Sequence, residues 1–250
     1  DVYKRQGVEC AFYAAFYRVA TLGSGAGVAA IYYFNERGVP YSKGTGLYTI
    51  EYMLHKVSIA LFAGIFFILN WGYMQKYYSQ YDMTLLIGFG VTFVIAAVLL
   101  LFACSKKFHE VLLWIVRKLN RSGKLTEQVK KLEEQCAILE DAAATLLKRG
   151  GLIAGCILKN LLKFTFWYGI PFLILAETGK LTLSQGLAVT SLAMMLAAVI
   201  PAPAGIGSSE FVLTMLLAKI VGTGAAGSVA LLYRFATFVL PFVIGAVVVV

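Results

Sequence analysis

The chain has 250 residues, of which 60% are hydrophobic and 14% charged, whereas a soluble domain carries about 45–50% apolar and about 25% charged residues. A soluble globular domain is therefore excluded. The formal charge is +9, and ten of the 22 basic residues fall within 106–149, but six acids share that segment, which is too balanced for a nucleic-acid surface and reads as the cytoplasmic segment of a membrane protein.

In chain order, residues 1–6, Asp-Val-Tyr-Lys-Arg-Gln, look like the in-frame translation of a sequencing-library adapter and are set aside. No Met opens the chain and residues 247–250 stop inside an apolar run, so it reads as a piece of a longer protein. Leu22-Gly23-Ser24-Gly25-Ala26-Gly27 then breaks the pattern before a short helix over 28–36 and Gly38. This turn lacks the strand and acid of a dinucleotide fold, and its Gly23, Gly25 and Gly27 read as backbone thinned for close packing or lipid approach. Residues 47–70 are apolar enough to span once Glu51, His55 and Lys56 are allowed near the start, since about 20 residues cross the hydrocarbon core. Residues 71–82, with Trp71, Tyr73, Tyr77, Tyr78 and Tyr81, are expected as an outward-facing aromatic loop at the interface. Residues 83–104 are a second span, which completes a first membrane half over 7–104.

The insert over 105–150 is expected to be a cytoplasmic helical hairpin beneath the membrane, with a partner-docking surface as the other reading. Its first piece, 108–119, puts Val111, Leu112, Ile115 and Leu119 on one face of a basic, interfacial helix. Leu125, Val129, Leu132, Cys136, Leu139, Ala143 and Leu146 step by four and three, a helical seam. His109 reads as solvated. Cys10, Cys104, Cys136 and Cys156 show no CxxC or metal-ligand spacing and read as small apolar fillers.

The second membrane half covers 151–250. Residues 151–176 span again, with Lys159 and Lys163 one turn apart and expected to snorkel to headgroups near the cytoplasmic end; residues 185–200 return inward. Pro201-Ala202-Pro203-Ala204-Gly205-Ile206-Gly207 cannot be continuous helix, and irregular backbone persists at membrane depth only where it is buried or lines a cavity. A re-entrant hairpin follows: a new helix from about Ser208 to about Val221, whose free N–H groups and positive end suit an anion, with the Ser208 and Ser209 hydroxyls as cap or ligand. Residues 225–250 form the last span, bearing Tyr233 and Arg234. The order of parts repeats between the halves, broken turn, short helix, glycine, span with charges, and the loop assignments make the two copies inverted. Paired interrupted segments point to a transporter's midplane site.

Glu210 and Arg234 sit in apolar sequence, where a charge at the bilayer centre costs about 2.5–3.5 kcal/mol on insertion scales. Two readings stay open: a headgroup pocket in which Arg234 and the Ser208 helix start meet a phosphate while Glu210 meets an amine, or an ion pair that pins the hairpin to the last helix. The candidate headgroup residues are Ser208, Ser209, Glu210, Tyr233, Arg234 and Lys56, although Lys56, poorly spaced from Glu51 for a helical pair, reads first as a snorkelling residue. Gly23, Gly25, Gly27, Pro201, Pro203, Gly205 and Gly207 make the broken turns. No GxSxG, HExxH, P-loop lysine or carboxylate pair in a soluble cleft is read in the sequence, so no catalytic residue, metal or cofactor is assigned.

The run 201–210, with Leu231-Leu232-Tyr233-Arg234, Pro241, the upstream Gly-rich turn and Ile31-Tyr32-Tyr33-Phe34 before Arg37-Gly38-Val39, resembles the transmembrane region of the lysylphosphatidylglycerol synthase family. The resemblance runs from about Val19 onward and is more specific in the second turn. It implies an all-α, polytopic helix bundle with two broken-helix segments in a bacterial cytoplasmic membrane. By it, Pro203, Gly205, Gly207, Glu210 and Arg234 occupy motif positions, and Ala204 stands where many relatives have glycine. The family is described as flippase-like: its full form precedes a cytoplasmic domain that transfers lysine from charged tRNA to phosphatidylglycerol, and the membrane part moves the product outward, which blunts cationic antimicrobial peptides. The expected function is therefore translocation of an aminoacylated phospholipid such as lysyl-phosphatidylglycerol, with membrane phospholipid as partner and no nucleic acid bound. The alternatives are the membrane half of a phosphatidylglycerol lysyltransferase, with a synthase domain or enzyme partner, a stand-alone relative handling another lipid-linked substrate, or a scaffold docking through the basic hairpin. An oligomer is compatible with each.

Overall fold

The computed structural model describes residues 2–79, 105–119, 126–147, 149–200 and 202–249, with isolated positions 87, 90, 91, 93, 94, 97, 98 and 101. The described residues are almost entirely helical, and the protein is an all-α integral membrane protein. Its helices are α1 (Val2–Ala20), α2 (Ala26–Asn35), α3 (Tyr41–Leu69), α4 (Trp71–Tyr78), α5 (Lys106–Leu119), α6 (Thr126–Leu147), α7 (Gly150–Leu175), α8 (Leu183–Ala197), α9 (Ser208–Val221), α10 (Thr223–Arg234) and α11 (Leu240–Val249). A π-helical turn, Phe235–Val239, joins the last two into one rod. The expected span over 83–104 lies largely outside the described residues, as do Tyr81, Leu125 and Pro201; the isolated positions described within that span are helical.

Among the described residues, three stretches are long and apolar enough to cross a bilayer: Tyr41–Leu69, Pro203–Val221 and Thr223–Val249. The second carries Ala204 at φ 53, Gly205 at φ 68 and Gly207 at φ 85 in its first turns, so its regular part is α9, 14 residues or about 21 Å. That is short of the roughly 30 Å hydrocarbon core. Helix α7 is 26 residues long, with Lys159, Asn160 and Lys163 interrupting its apolar sequence. Around these helices the exterior is apolar: Leu61, Ile65 and Ile68 on α3, Leu158, Leu162 and Phe166 on α7, and Leu231, Val243 and Val247 on the last rod are all exposed. Such a surface is a liability in water and the requirement in lipid.

The core sits around α8. Thr182 starts this helix with a capping box: its hydroxyl accepts from the Gln185 N–H at 3.3 Å and its own N–H donates to Gln185 Oε1 at 2.9 Å, so two otherwise orphaned donors are satisfied. Ala188, Val189, Leu192, Ala193 and Met195 are buried against Leu213, Leu216 and Leu217 of α9 and Val229 and Ala230 of α10. The inward-returning segment is thus a 15-residue buried helix, half of a hairpin with α9. Gly186 lets α7 come close, since a Cβ there would lie 2.8 Å from the Phe172 Cβ. Asn70 ties the end of α3 to α8 by donating to the Ser184 hydroxyl at 2.8 Å.

Two expectations are corrected. Residues 71–78 are a helix rather than a loop: Met74 and Tyr78 lie one turn apart and are buried, and the Tyr78 hydroxyl donates to the Leu216 carbonyl at 3.0 Å, while Trp71 is exposed. His109 is 1% exposed rather than solvated; α6 folds over α5 and sets Glu140 Oε1 2.9 Å from its Nδ1, a partner 31 residues away. Lys163 meets His55 of α3 and Asn160 of α7, both at 3.1 Å; Lys159 is exposed.

The hairpin of α5 and α6 is held by Arg117, whose Nε and Nη2 donate to Glu133 at 3.0 and 2.6 Å. Val129 and Cys136 of the seam are buried, and burial, with Glu140 and Glu133 nearby, pushes the Cys136 thiol above its ordinary range. Helix α6 also packs on α3 and α7, so the hairpin is docked on the membrane helices.

Candidate site where two broken turns meet

The chain twice runs helix, broken turn, short helix, positive-φ glycine, long rod: α1, α2 and α3 around Gly38, then α8, α9 and the α10–α11 rod around Gly222. The packing follows the same exchange. Helix α1 lies on α11 and, correspondingly, α8 lies on α3; α1 packs on α2 as α8 does on α9, and α2 on α3 as α9 on α10. The first contact is close: Gly245 of α11 sits against the Phe12 carbonyl, and the Phe16 and Phe242 rings stack at 5.2 Å.

The two broken turns touch. A Cβ on Gly23 would meet the Ala204 N at 3.0 Å and its Cα at 3.2 Å. Leu22 (φ 53) and Ala204 (φ 53) are the positive-φ non-glycine residues described, one on each turn, and such backbone costs of order 1–3 kcal/mol unless its surroundings hold it. In the first turn, the Thr21 hydroxyl accepts from the Gly25 N–H and donates to the Tyr17 carbonyl, both at 2.6 Å. Gly27 faces the Tyr48 ring, where a Cβ would stand 2.7 Å from Cε1, which brings α2 against α3.

In the second turn the polar residues satisfy one another. Glu210 Oε2 accepts from the Gly207 N–H at 3.0 Å, so the helix's own carboxylate occupies its positive end. The Ser209 hydroxyl lies 2.7 Å from that oxygen and 2.9 Å from the Gly205 carbonyl, with one proton to share between them. Ser208 donates to the same carbonyl at 3.3 Å. From α10, Arg234 Nε approaches Glu210 Oε1 at 3.2 Å, its Nη2 donates to the Ala204 carbonyl at 2.9 Å, and its guanidinium lies over the Phe238 ring at 3.8 Å. Arg234 therefore holds the turn by the very residue that touches Gly23. It stands immediately before the π-helical turn, a distortion that recurs at functional sites.

Of the candidate headgroup residues, the fold brings Ser208, Ser209, Glu210 and Arg234 together. Tyr233 turns into the main core, 4% exposed. Lys56 lies on α3 with its ammonium over the Tyr52 ring at 5.2 Å, in contact with none of the four.

Two further clusters escaped sequence reasoning. In the first, Glu9 of α1 accepts from the Tyr33 hydroxyl at 2.8 Å and faces Arg37 at 3.5 Å, with the Arg37 guanidinium 3.4 Å from the Tyr33 ring centre. These residues line a cavity of about 410 Å³ with Tyr13, Tyr32, Glu36 and Val248. In the second, Lys163 of α7 meets His55 of α3 and Asn160. Only the charges themselves, set in apolar sequence, signalled either one; the partners are 24 to 108 residues away.

Residues 3–245 match the family profile described as the lysylphosphatidylglycerol synthase TM region. No curated protein and no solved structure matches the chain.

Proposed function

We propose that this chain, which belongs to the lysylphosphatidylglycerol synthase transmembrane family, is a lipid translocase that carries an aminoacylated phospholipid headgroup across the bilayer. The observation that supports this reading is the contact between the two broken turns at Gly23 and Ala204. Each turn interrupts the helical course of the chain, and paired interrupted helices are the architecture in which transporters place a substrate. Two units joined tip to tip, and exchanged in their packing, have a natural pivot there. Rocking about it opens a polar path first to one face and then to the other while the acyl tails stay in lipid. Glu210 and Arg234 lock the second turn in one arrangement, and exchange of their mutual contact for contacts with a zwitterionic headgroup releases it.

The test is amine labelling of the outer leaflet with an impermeant reagent, in cells expressing the protein, beside Glu210→Ala and a total-lipid analysis. The translocase reading expects labelled aminolipid to rise with the wild type alone at constant total amount and equal protein abundance. Equal labelling in the Glu210→Ala variant overturns the assigned role. A rise in total lysyl lipid instead assigns the chain to the synthetic step.

A further inference from the structure

We infer that the polar cluster between α3 and α7, centred on Lys163, is an anion subsite that takes a phosphate group. The inference deepens the translocase reading and rests on it for one point, that the phosphate belongs to a lipid headgroup.

Position comes first. Lys163 lies 13 residues from the start of α7 and 12 from its end, and His55 lies 14 residues from either end of α3, so both stand about 20 Å from the tips of their helices. An ionisable group so far inside an apolar helix is expensive and marks a ligand or ion path. Here the expense is not met by an ion pair. The Lys163 ammonium spends two of its donors on neutral groups, His55 Nδ1 at 3.1 Å and Asn160 Oδ1 at 3.1 Å, and the Phe164 and Trp167 rings flank it at 5.0 and 5.8 Å.

The hydrogen-bond roles then follow. An ammonium only donates, so His55 Nδ1 accepts and the imidazole carries its proton on Nε2, a donor not used by that contact. Asn160 gives one amide N–H to the Ser58 hydroxyl at 3.4 Å and keeps another, while Ser58 donates to the Leu54 carbonyl at 2.7 Å. The acceptors of the cluster, Ser58 Oγ, His55 Nδ1 and Asn160 Oδ1, are taken, and its donors outnumber them. An ammonium held by a neutral imidazole and a neutral amide, each with a further N–H donor, is the chemistry of a phosphate site. Arg234 is engaged by Glu210, the Ala204 carbonyl and Phe238, whereas Lys163 faces neutral groups.

The experiment uses the full chain, purified and reconstituted in nanodiscs. One arm measures retention of phosphatidylglycerol, against diacylglycerol as the phosphate-free lipid, through detergent exchange. The second titrates inorganic phosphate and follows Trp167 fluorescence against a Trp167→Phe blank. The wild type is expected to retain phosphatidylglycerol over diacylglycerol by about tenfold or more, Lys163→Met to lose that preference, and Lys163→Arg to keep it within about threefold. Retention without a phosphate response assigns the anion to a lipid headgroup, and a saturable response to phosphate in both lipids assigns it to the free anion. An undiminished preference in a folded Lys163→Met protein, or equal retention of the two lipids by the wild type with no phosphate response, overturns the subsite. Glu210→Ala serves as the separating control: loss of translocation there with intact phosphatidylglycerol retention leaves the subsite standing apart from the transport role of the turn.

Discussion

Arg234 shows how much one side chain settles in this protein. Its guanidinium reaches a carboxylate through Nε, a backbone carbonyl through Nη2 and an aromatic face at once, which a planar fork does and a point-charge ammonium cannot. Arg234→Lys keeps the charge and loses at least one of these contacts. The expected cost is about 1.5–3 kcal/mol, the range for hydrogen bonds to charged groups, read as a lowered thermal midpoint in detergent; an unchanged midpoint would show that the turn is held by its backbone alone. That Glu210 and Arg234 need partners was readable from their apolar surroundings. Their pairing with each other was one of two readings the sequence left open, but the Ala204 carbonyl was not foreseen, because it becomes an acceptor only in the left-handed turn at residue 204. His109 and Lys163 teach the same lesson: a polar residue's sequence neighbours say little about a carboxylate or imidazole delivered by another helix.

At the scale of elements, the breaks carry more information than the helices. The prolines and glycines of residues 201–207 and the glycines of 23–27 marked both interruptions, and α9 begins at Ser208, ends at Val221 and is capped by Gly207 and Gly222. Gly23 is constrained twice over, by φ 102 and by the Ala204 backbone 3.0 Å from where a Cβ would sit. Gly23→Ala is therefore expected to destabilise by about 2–6 kcal/mol, the sum of a left-handed penalty and overpacking, and to lower outer-leaflet labelling along with it. The informative comparison is Gly64→Ala, a helical glycine with open space around its Cβ position, which should leave both readings at wild-type level; if the two variants behave alike, contact between the turns is not what Gly23 provides. Residues 71–78 mark the limit of pattern reading. Aromatic residues four apart serve an interface or a core equally well, and for Tyr78 the bond to the Leu216 carbonyl, 138 residues away, lies in the core.

For the molecule as a whole, the exchanged packing is the organising fact. The first helix of each unit lies on the rod of the other, α1 on α11 and α8 on α3, so neither unit is complete alone. Gly245 makes the α1–α11 approach possible, since any Cβ there would run into the Phe12 carbonyl and the Phe16 side chain. Gly245→Ala should push the rods apart at a cost of about 1–3 kcal/mol and, by loosening one of the two equivalent seams, make α1 more accessible to protease in detergent. A digestion pattern identical to wild type would mean that the seam tolerates separation and is not what holds the units together.

The chain's own composition determined that it lives in a membrane, and proline, glycine and charge placement determined where its helices break and which charges need company, because backbone sterics and the cost of desolvating a charge act locally. Helical seams were legible on the same ground, with Val129 and Cys136 of the hairpin buried as their spacing implies. Tertiary structure alone decided that the two breaks touch, that Tyr78 turns to Leu216 and that Lys163 faces His55. Those outcomes depend on which helix lies against which over separations of about a hundred residues or more, and in lipid, where apolar faces all match one another, close backbone approach at small residues and pairing of polar groups choose the neighbours.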